Sequence, residues 1–195
     1  MKINISVPNA MHVPAMTQPW QYTLTGSEIA EVLSIADSLG FHRAMMGEHF
    51  IVPQEHIPMS GAHYFNTPVG LAFLAGHTKK MKLSSSISIL PLQNPLAQAK
   101  AWSTLDFLSD GRAEPIFGMG WLKEEFDMMG VDFHKRGAMA DEYIEAMKLL
   151  WSEDIATYEG KYVSFKEVGF APKPVQKPHM LSLIHISEPT RQDRI

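Results

Sequence analysis

The chain has 195 residues, 45% of them hydrophobic, a formal net charge of -4 and no cysteine. That apolar content suffices for a buried core, while the mildly acidic balance and the lack of a Lys/Arg stripe exclude a nucleic-acid groove. Without cysteine there is no disulfide framework or thiolate chemistry, which fits a cytoplasmic protein, and no apolar run suits a signal sequence or membrane span.

Ile3, Ile5 and Val7 alternate with polar residues ahead of Pro8 and predict a first strand. Thr25 and Glu28 have capping-box spacing, and Ile29, Val32, Leu33, Ala36 and Leu39 recur as one helical face closed by Gly40. A second strand over 41–47 ends at Glu48-His49. The segment 50–65 then reads as a long polar and aromatic loop, and its Pro53, Pro58 and Gly61 argue against regular structure. A loop of that length after a strand suggests a lid over a substrate site. A helix over 67–77 leads through Lys79 and Lys80 to a third strand over 83–90, stopped by Pro91.

Asn94 stands at an N-cap position and Pro95 at the first helical position, where its missing N–H costs nothing. Leu96, Ala99, Trp102 or Ser103, Leu105 and Leu108 continue at helical spacing to Gly111. Glu114 to Phe117 forms the next strand and runs into Gly118-Met119-Gly120-Trp121. Strand, helix and strand joined by short links force a parallel, right-handed crossover. Beyond Trp121, Glu124, Glu125 and Arg136 are candidates for an ion network, and the paired glutamates do not suggest a general acid and base. Met139, Tyr143, Met147, Leu150 and Trp151 mark the core stripe of another helix. A hairpin is expected around Glu159-Gly160 and a stiff extended segment over 172–178.

Several residues are candidates for chemistry. His49 directly follows a strand, and imidazole is the side chain suited to moving a proton near neutral pH. It is the first catalytic candidate, against the alternative of a histidine that merely caps the strand. Glu48 either orients His49 or pairs with a basic neighbour. Gly118 and Gly120 either let backbone approach a ligand or serve a turn needing positive φ. They are not a dinucleotide fingerprint, since the third glycine is missing. Asp106 and Arg112 are expected to form a structural pair. A metal-dependent hydrolase using His12, Glu48, His49, His56 or His63 is the competing enzyme class, although these histidines have no recognisable ligand spacing.

Ile89-Leu90-Pro91, Asn94-Pro95, Thr104-Leu105-Asp106, Leu108-Ser109-Asp110-Gly111-Arg112 and Gly118-Met119-Gly120-Trp121, in that order, resemble the luciferase-like family of flavin-dependent oxidoreductases. The resemblance covers about residues 2–179 and implies an α/β fold, a TIM (β/α)8 barrel with the flavin at the C-terminal ends of its strands. It also implies proton transfer by His49, with Glu48 beside it, and a non-proline cis peptide at Ser86-Ile87 that bulges the third strand behind the flavin ring. Gly118, Met119, Gly120 and Trp121 would lie along the cofactor. Two positions depart from better-known branches: Met119 replaces the arginine that holds the flavin phosphate in bacterial luciferase, and Trp121 replaces the acidic residue of sugar-phosphate dehydrogenases. The implied cofactor is FMN or coenzyme F420, the substrate a small organic molecule. A flavin or F420 reductase is the implied partner, and the full-length protein a homodimer. The remaining reading is a non-catalytic flavin-binding relative.

A TIM barrel takes about 250 residues, so this one is expected to be truncated to roughly its first four β/α units. Residues 1–180 form the barrel part. Residues 181–191 resemble a translated sequencing-library adapter, and 181–195 are therefore expected to be a non-native tail. Phosphate-holding loops of such barrels follow strands seven and eight, so weak flavin binding by this chain is also expected.

Overall fold

The computed structural model describes residues 1–184, so most of the expected tail lies outside the described residues. Strands β1 (Asn4–Ser6), β2 (Arg43–Met46) and β3 (Lys82–Ser85) pair in parallel in that order. A second parallel set consists of β4 (Ser88–Ile89), β5 (Ile116–Gly118) and β8 (Leu183–Ile184). Among the described residues these strands form an open parallel array, a partial α/β fold with no closed barrel.

The third predicted strand is real but interrupted. Its ladder stops at Ser86-Ile87, the peptide that is cis, and resumes at Ser88. Across the break the Ser85 hydroxyl replaces the missing backbone partner: it donates to Ile116 O and accepts from Ile116 N, both at 2.8 Å. A bridge between Leu83 and Ala113 completes the join, so β3 and β5 stay together although no regular ladder links them.

Helices α1 (Gly26–Ser38), α3 (Thr67–Ala75) and α4 (Pro95–Leu108) connect successive parallel strands, with the short helix α2 (Ile57–Ser60) before α3. Each long connector begins where its sequence says it should. Thr25 Oγ1 accepts from Glu28 N while Glu28 Oε2 accepts from Thr25 N, a complete capping box. Asn66 Oδ1 accepts from Val69 N, and Asn94 Oδ1 from Leu96 N and Ala97 N. Leu33, Leu71, Trp102 and Leu105 then bury against Ala44, Leu83 and Phe117 of the strands in one core. Leu39 and Leu108 fail the expected pattern and are 72% and 66% exposed, because each sits where its helix ends.

The link 50–65 departs from expectation. It contains a 3-10 turn over Gln54–His56 that runs into α2. Pro58 occupies the first turn of α2 and Gly61, at φ 71°, ends it, so both residues punctuate a helix instead of preventing one.

After β5 come α5 (Lys123–Met128) and α6 (Arg136–Ser152). The expected stripe of α6 packs as a core face, with Tyr143, Met147, Leu150 and Trp151 buried. Strands β6 (Ile155–Glu159) and β7 (Ser164–Gly169) form the expected antiparallel hairpin. Its turn is longer than a two-residue link, because the Glu142 carboxylate gathers the N–H groups of Lys161, Tyr162 and Val163 at 2.6 to 3.0 Å. Residues 172–178 bend instead of extending, with cis bonds before Pro172 and Pro178.

Asp106 and Arg112 do not pair. Buried Asp106 accepts from Val175 N, Gln176 N and Gln176 Nε2, which fastens this late segment to α4. Arg112 instead donates to Ser109 O, Thr78 Oγ1 and Ala75 O. Carbonyl and hydroxyl acceptors surround its guanidinium, so no carboxylate is needed to satisfy it.

Candidate functional site

The C-terminal ends of β2, β4 and β5 surround a cleft of about 200 Å³. Gly47, Glu48 and His49 enter it from β2, Ser86, Ile87 and Ile89 from the interrupted strand, and Gly120 and Trp121 from the turn after β5. Met11 and Tyr64 complete its wall. Six of the residues singled out in the sequence are therefore brought together: Glu48, His49, Ser86, Ile87, Gly120 and Trp121.

Gly118 and Met119 are not among them. They border a separate gap of about 10 Å³ with Leu90, Ala140, Asp141 and Ile144, room for about one water. A Cβ on Gly118 would stand 1.9 Å from Ile87 Cδ1, so this glycine makes space for the bulged strand. Gly120 has φ 73° and is crowded by Ile89 and Phe126, which makes it a turn glycine pressed on the core beneath the cleft.

His49 is held by Glu125, a residue that the sequence suggested only as a member of an ion network. Glu125 on α5 is fully buried, and its Oε2 lies 2.7 Å from His49 Nδ1. The other oxygen accepts from Phe50 N at 2.6 Å and Ile51 N at 3.4 Å. A carboxylate already accepting backbone N–H groups offers Nδ1 an acceptor, so the imidazole proton sits on Nδ1 and Nε2 is directed to other partners. Among the described residues no protein group bonds Nε2. Tyr64 and Trp121 set their rings edge-on to the imidazole, with centroids 4.9 and 6.0 Å away. Burial, and then the Glu125 charge, raises the Tyr64 phenol above its ordinary value, and its O–H donates to Ser60 O at 2.6 Å.

Glu125 had a sequence signal after all. Leu122, Glu125, Phe126 and Met129 share helical spacing, so the carboxylate lies on the apolar stripe. Phe126 anchors that stripe in a small core with Ile89, Leu92 and Phe133. Glu124, on the other side, lies 3.7 Å from His56 Nε2. Arg136 donates to Phe133 O and stacks on its ring. The acidic pair thus splits into one buried and one solvent-facing carboxylate.

Glu48 does not orient His49. It accepts from Ser88 Oγ, Ile89 N and Gln93 Nε2, and so ties β2 to the resumed strand β4. The histidines of the competing hydrolase reading are dispersed. His12 and His63 stack 3.9 Å apart, His63 lies 2.9 Å from Asn9 O, and no three His, Asp or Glu side chains among the described residues are arranged to hold a metal. Burial, and then His63, lowers the His12 proton affinity.

The link 50–65 closes one side of the cleft. Met11 bridges Tyr64 in antiparallel fashion, His12 N donates to His63 O, and Phe65 N donates to Ala10 O. Gly61 makes this closure possible: its φ of 71° with ψ 176° is a glycine conformation, and a Cβ there would lie 1.6 Å from His12 O. Gly61→Ala is expected to cost about 2 to 3 kcal/mol and to expose the link to protease. Thermal unfolding and limited proteolysis within 50–65 check it; a variant as resistant as the parent contradicts the account.

A parallel β/α array that gathers a carboxylate-held imidazole, a bulged strand and an overhanging indole at one rim has the construction of a barrel-rim active site. Residues 1–188 match the family model described as luciferase-like monooxygenase, and the chain belongs to that family. An uncharacterised protein of Mycobacterium tuberculosis is 33% identical over 167 residues, 80% of this chain and 59% of the relative. The oxygenase component of the flavin-dependent trigonelline monooxygenase of Acinetobacter baylyi is 29% identical over 154 residues, 78% of this chain and 41% of that protein. The crystal structure of monooxygenase RslO1 from Streptomyces bottropensis superposes with a TM-score of 0.79 at 28% identity, over 94% of this chain and 53% of that one. The chain thus spans about half the length of such relatives. Other proteins sharing the fold include one solved in complex with FMN and a coenzyme F420-dependent reductase. No helix among the described residues is long and apolar enough to cross a membrane.

Proposed function

We propose that the protein of which this chain forms the first four β/α units is an oxidoreductase that binds FMN or coenzyme F420 in the cleft and acts on a small organic substrate. The observation that carries this reading is the His49–Glu125 pair, with its free Nε2 beside the Ser86-Ile87 bulge and Trp121. The residues present fit a planar heteroaromatic group. Ile87, Ile89, Met11 and Trp121 offer apolar surface, and Glu48 supplies a buried polar atom without a partner. Among the described residues the cleft walls contain no Lys or Arg to meet a phosphate tail. When bound, the group supplies the hydride or oxygen chemistry.

The chain's own residues bind, orient and move a proton. Ile87 and Trp121 would offer apolar surface to the ring. Glu125 fixes the His49 tautomer, and Nε2 exchanges a proton with the substrate or with solvent. Tyr64 and the stitched link 50–65 limit the access of water. With FMN and oxygen the reaction is a monooxygenation fed by a separate reductase; with F420 it is hydride transfer. The relatives described as flavin-dependent monooxygenases favour the first. A cytoplasmic location, a homodimer in the intact protein and a non-native tail over 181–195 complete the reading.

Titration with FMN and with F420 tests it. Either ligand is expected to quench the fluorescence of Trp121 at up to millimolar concentration, and Trp121→Leu is expected to remove most of the quenching. No response to either ligand contradicts the proposal.

A further inference from the structure

A second cavity of about 80 Å³ lies next to the cleft, at the C-terminal end of β1, and all of its walls come from one continuous stretch, 6–21. Val7, Pro8, Val13 and Met16 make it apolar, and among the described residues no Lys, Arg, His, Asp or Glu lines it. The stretch is held in shape from within. Asn9, buried and at φ 60°, donates through Nδ2 to Leu24 O at 2.8 Å and so ties the start of the loop to its end. Met16 N and Thr17 N both donate to Val13 O at 2.9 Å. The cavity is therefore preformed, as small-molecule sites usually are.

Thr17 and Gln21 add two neutral polar side chains to the lining, and both residues are half-buried. Among the described residues neither the hydroxyl nor the amide hydrogen-bonds to another protein group. Together they offer donors and acceptors without charge. That set suits an amide, ester or alcohol on a ligand and leaves an ionised end without a counterion. Met11 lines both this cavity and the cleft, and is the one residue they share. Its sulfur rests where Gly47 has no side chain, since a Cβ there would lie 3.0 Å from Met11 Sδ. An unbranched thioether with three rotatable bonds is a partition that a bound molecule can displace.

We propose that this cavity is a subsite for the uncharged tail of an elongated substrate. The un-ionised polar end of the tail meets Thr17 and Gln21, its aliphatic middle passes Met11, and the opposite end of the molecule lies in the cleft beside His49. Volume sets the length. A water-sized group needs about 10 to 15 Å³ on this measure, so the cavity takes a chain of about four carbons together with its polar end. Assigning the opposite end to the reacting group rests on the function proposed above. The selection of a neutral, chain-like molecule by the cavity does not.

Titration of the ligand-free protein, with its methionine methyls labelled with carbon-13, tests the proposal. Hexanamide is expected to shift the methyl resonances of Met11 and Met16 and to leave that of Met147, buried under α6, in place. Affinity is expected to rise about three- to fourfold per methylene from butanamide to hexanamide. Hexanoate and hexylammonium are expected to bind at least about tenfold more weakly than the amide. Gln21→Leu is expected to weaken hexanamide about fivefold. Val13→Trp, which fills the cavity, is expected to abolish the Met16 shift and to leave FMN binding within about threefold of the parent. Should Val13→Trp not fold, the chain-length series and Gln21→Leu decide. No shift with hexanamide, equal binding of hexanoate, or undiminished binding in Gln21→Leu overturns the proposal. If the amides behave as expected while FMN binds neither parent nor variant, the subsite stands and the cofactor assignment fails.

Discussion

Glu125→Ala is expected to destabilise the protein by about 3 to 5 kcal/mol, measured as the free energy of denaturant unfolding. The carboxylate is completely buried and serves three donors at once: His49 Nδ1, Phe50 N and Ile51 N. Alanine leaves all three without acceptors in a space that water does not readily fill, and it loosens the start of the link 50–65. Glu125→Gln separates structure from function. The amide oxygen still accepts from Phe50 N, so the expected loss is only about 1 to 2 kcal/mol. The neutral amide no longer stabilises a charged imidazole, however, and its N–H₂ end can turn Nδ1 into an acceptor. The His49 proton then moves to Nε2, which nitrogen-15 shifts of the imidazole report directly. An unchanged tautomer in Glu125→Gln would show that the pair does not set it.

His49→Gln is expected to lower kcat of FMN- or F420-linked turnover by about 100-fold or more while KM changes little, the pattern of a group that acts in the transition state. The side chain lines the cleft with the rings of Tyr64 and Trp121 edge-on to it. Its loss also takes from buried Glu125 Oε2 its partner at 2.7 Å, so the unfolding free energy is expected to fall by about 1 to 3 kcal/mol. Turnover within threefold of the parent would mean that His49 only lines the cleft, the reading in which the chain is a binding relative without proton chemistry. A rise in KM at constant kcat would assign it to substrate binding instead.

The pattern in which these residues were found follows the range of the interactions that place them. Thr25 with Glu28, and Asn94 with Pro95, announce helix starts because a cap is satisfied within four residues of itself. The stripe from Tyr143 to Trp151 is legible for the same reason: helical periodicity is local. Composition said nothing about Ser86-Ile87, which came from family likeness alone. Of the two roles left open for Glu48, orienting His49 is not the one seen, and the expected Asp106–Arg112 pair does not form, because Glu48 and Asp106 accept from donors 40 or more residues away and Arg112 finds carbonyl and hydroxyl acceptors.

The order of strands and helices, their caps, the faces they bury and the proximity of His49 to a strand end were determined by the sequence itself, since each follows from hydrophobic spacing and terminal hydrogen bonding within a few residues. Tertiary structure alone decided that Glu125, 76 residues from His49, is the carboxylate that fixes its imidazole. It also decided that Gly118 yields to Ile87 and that Glu48 is left with one idle oxygen. Parallel strands bring residues from separate β/α units to one rim, and which of two adjacent glutamates turns inward depends on the core that Phe126 finds there, not on any local pattern.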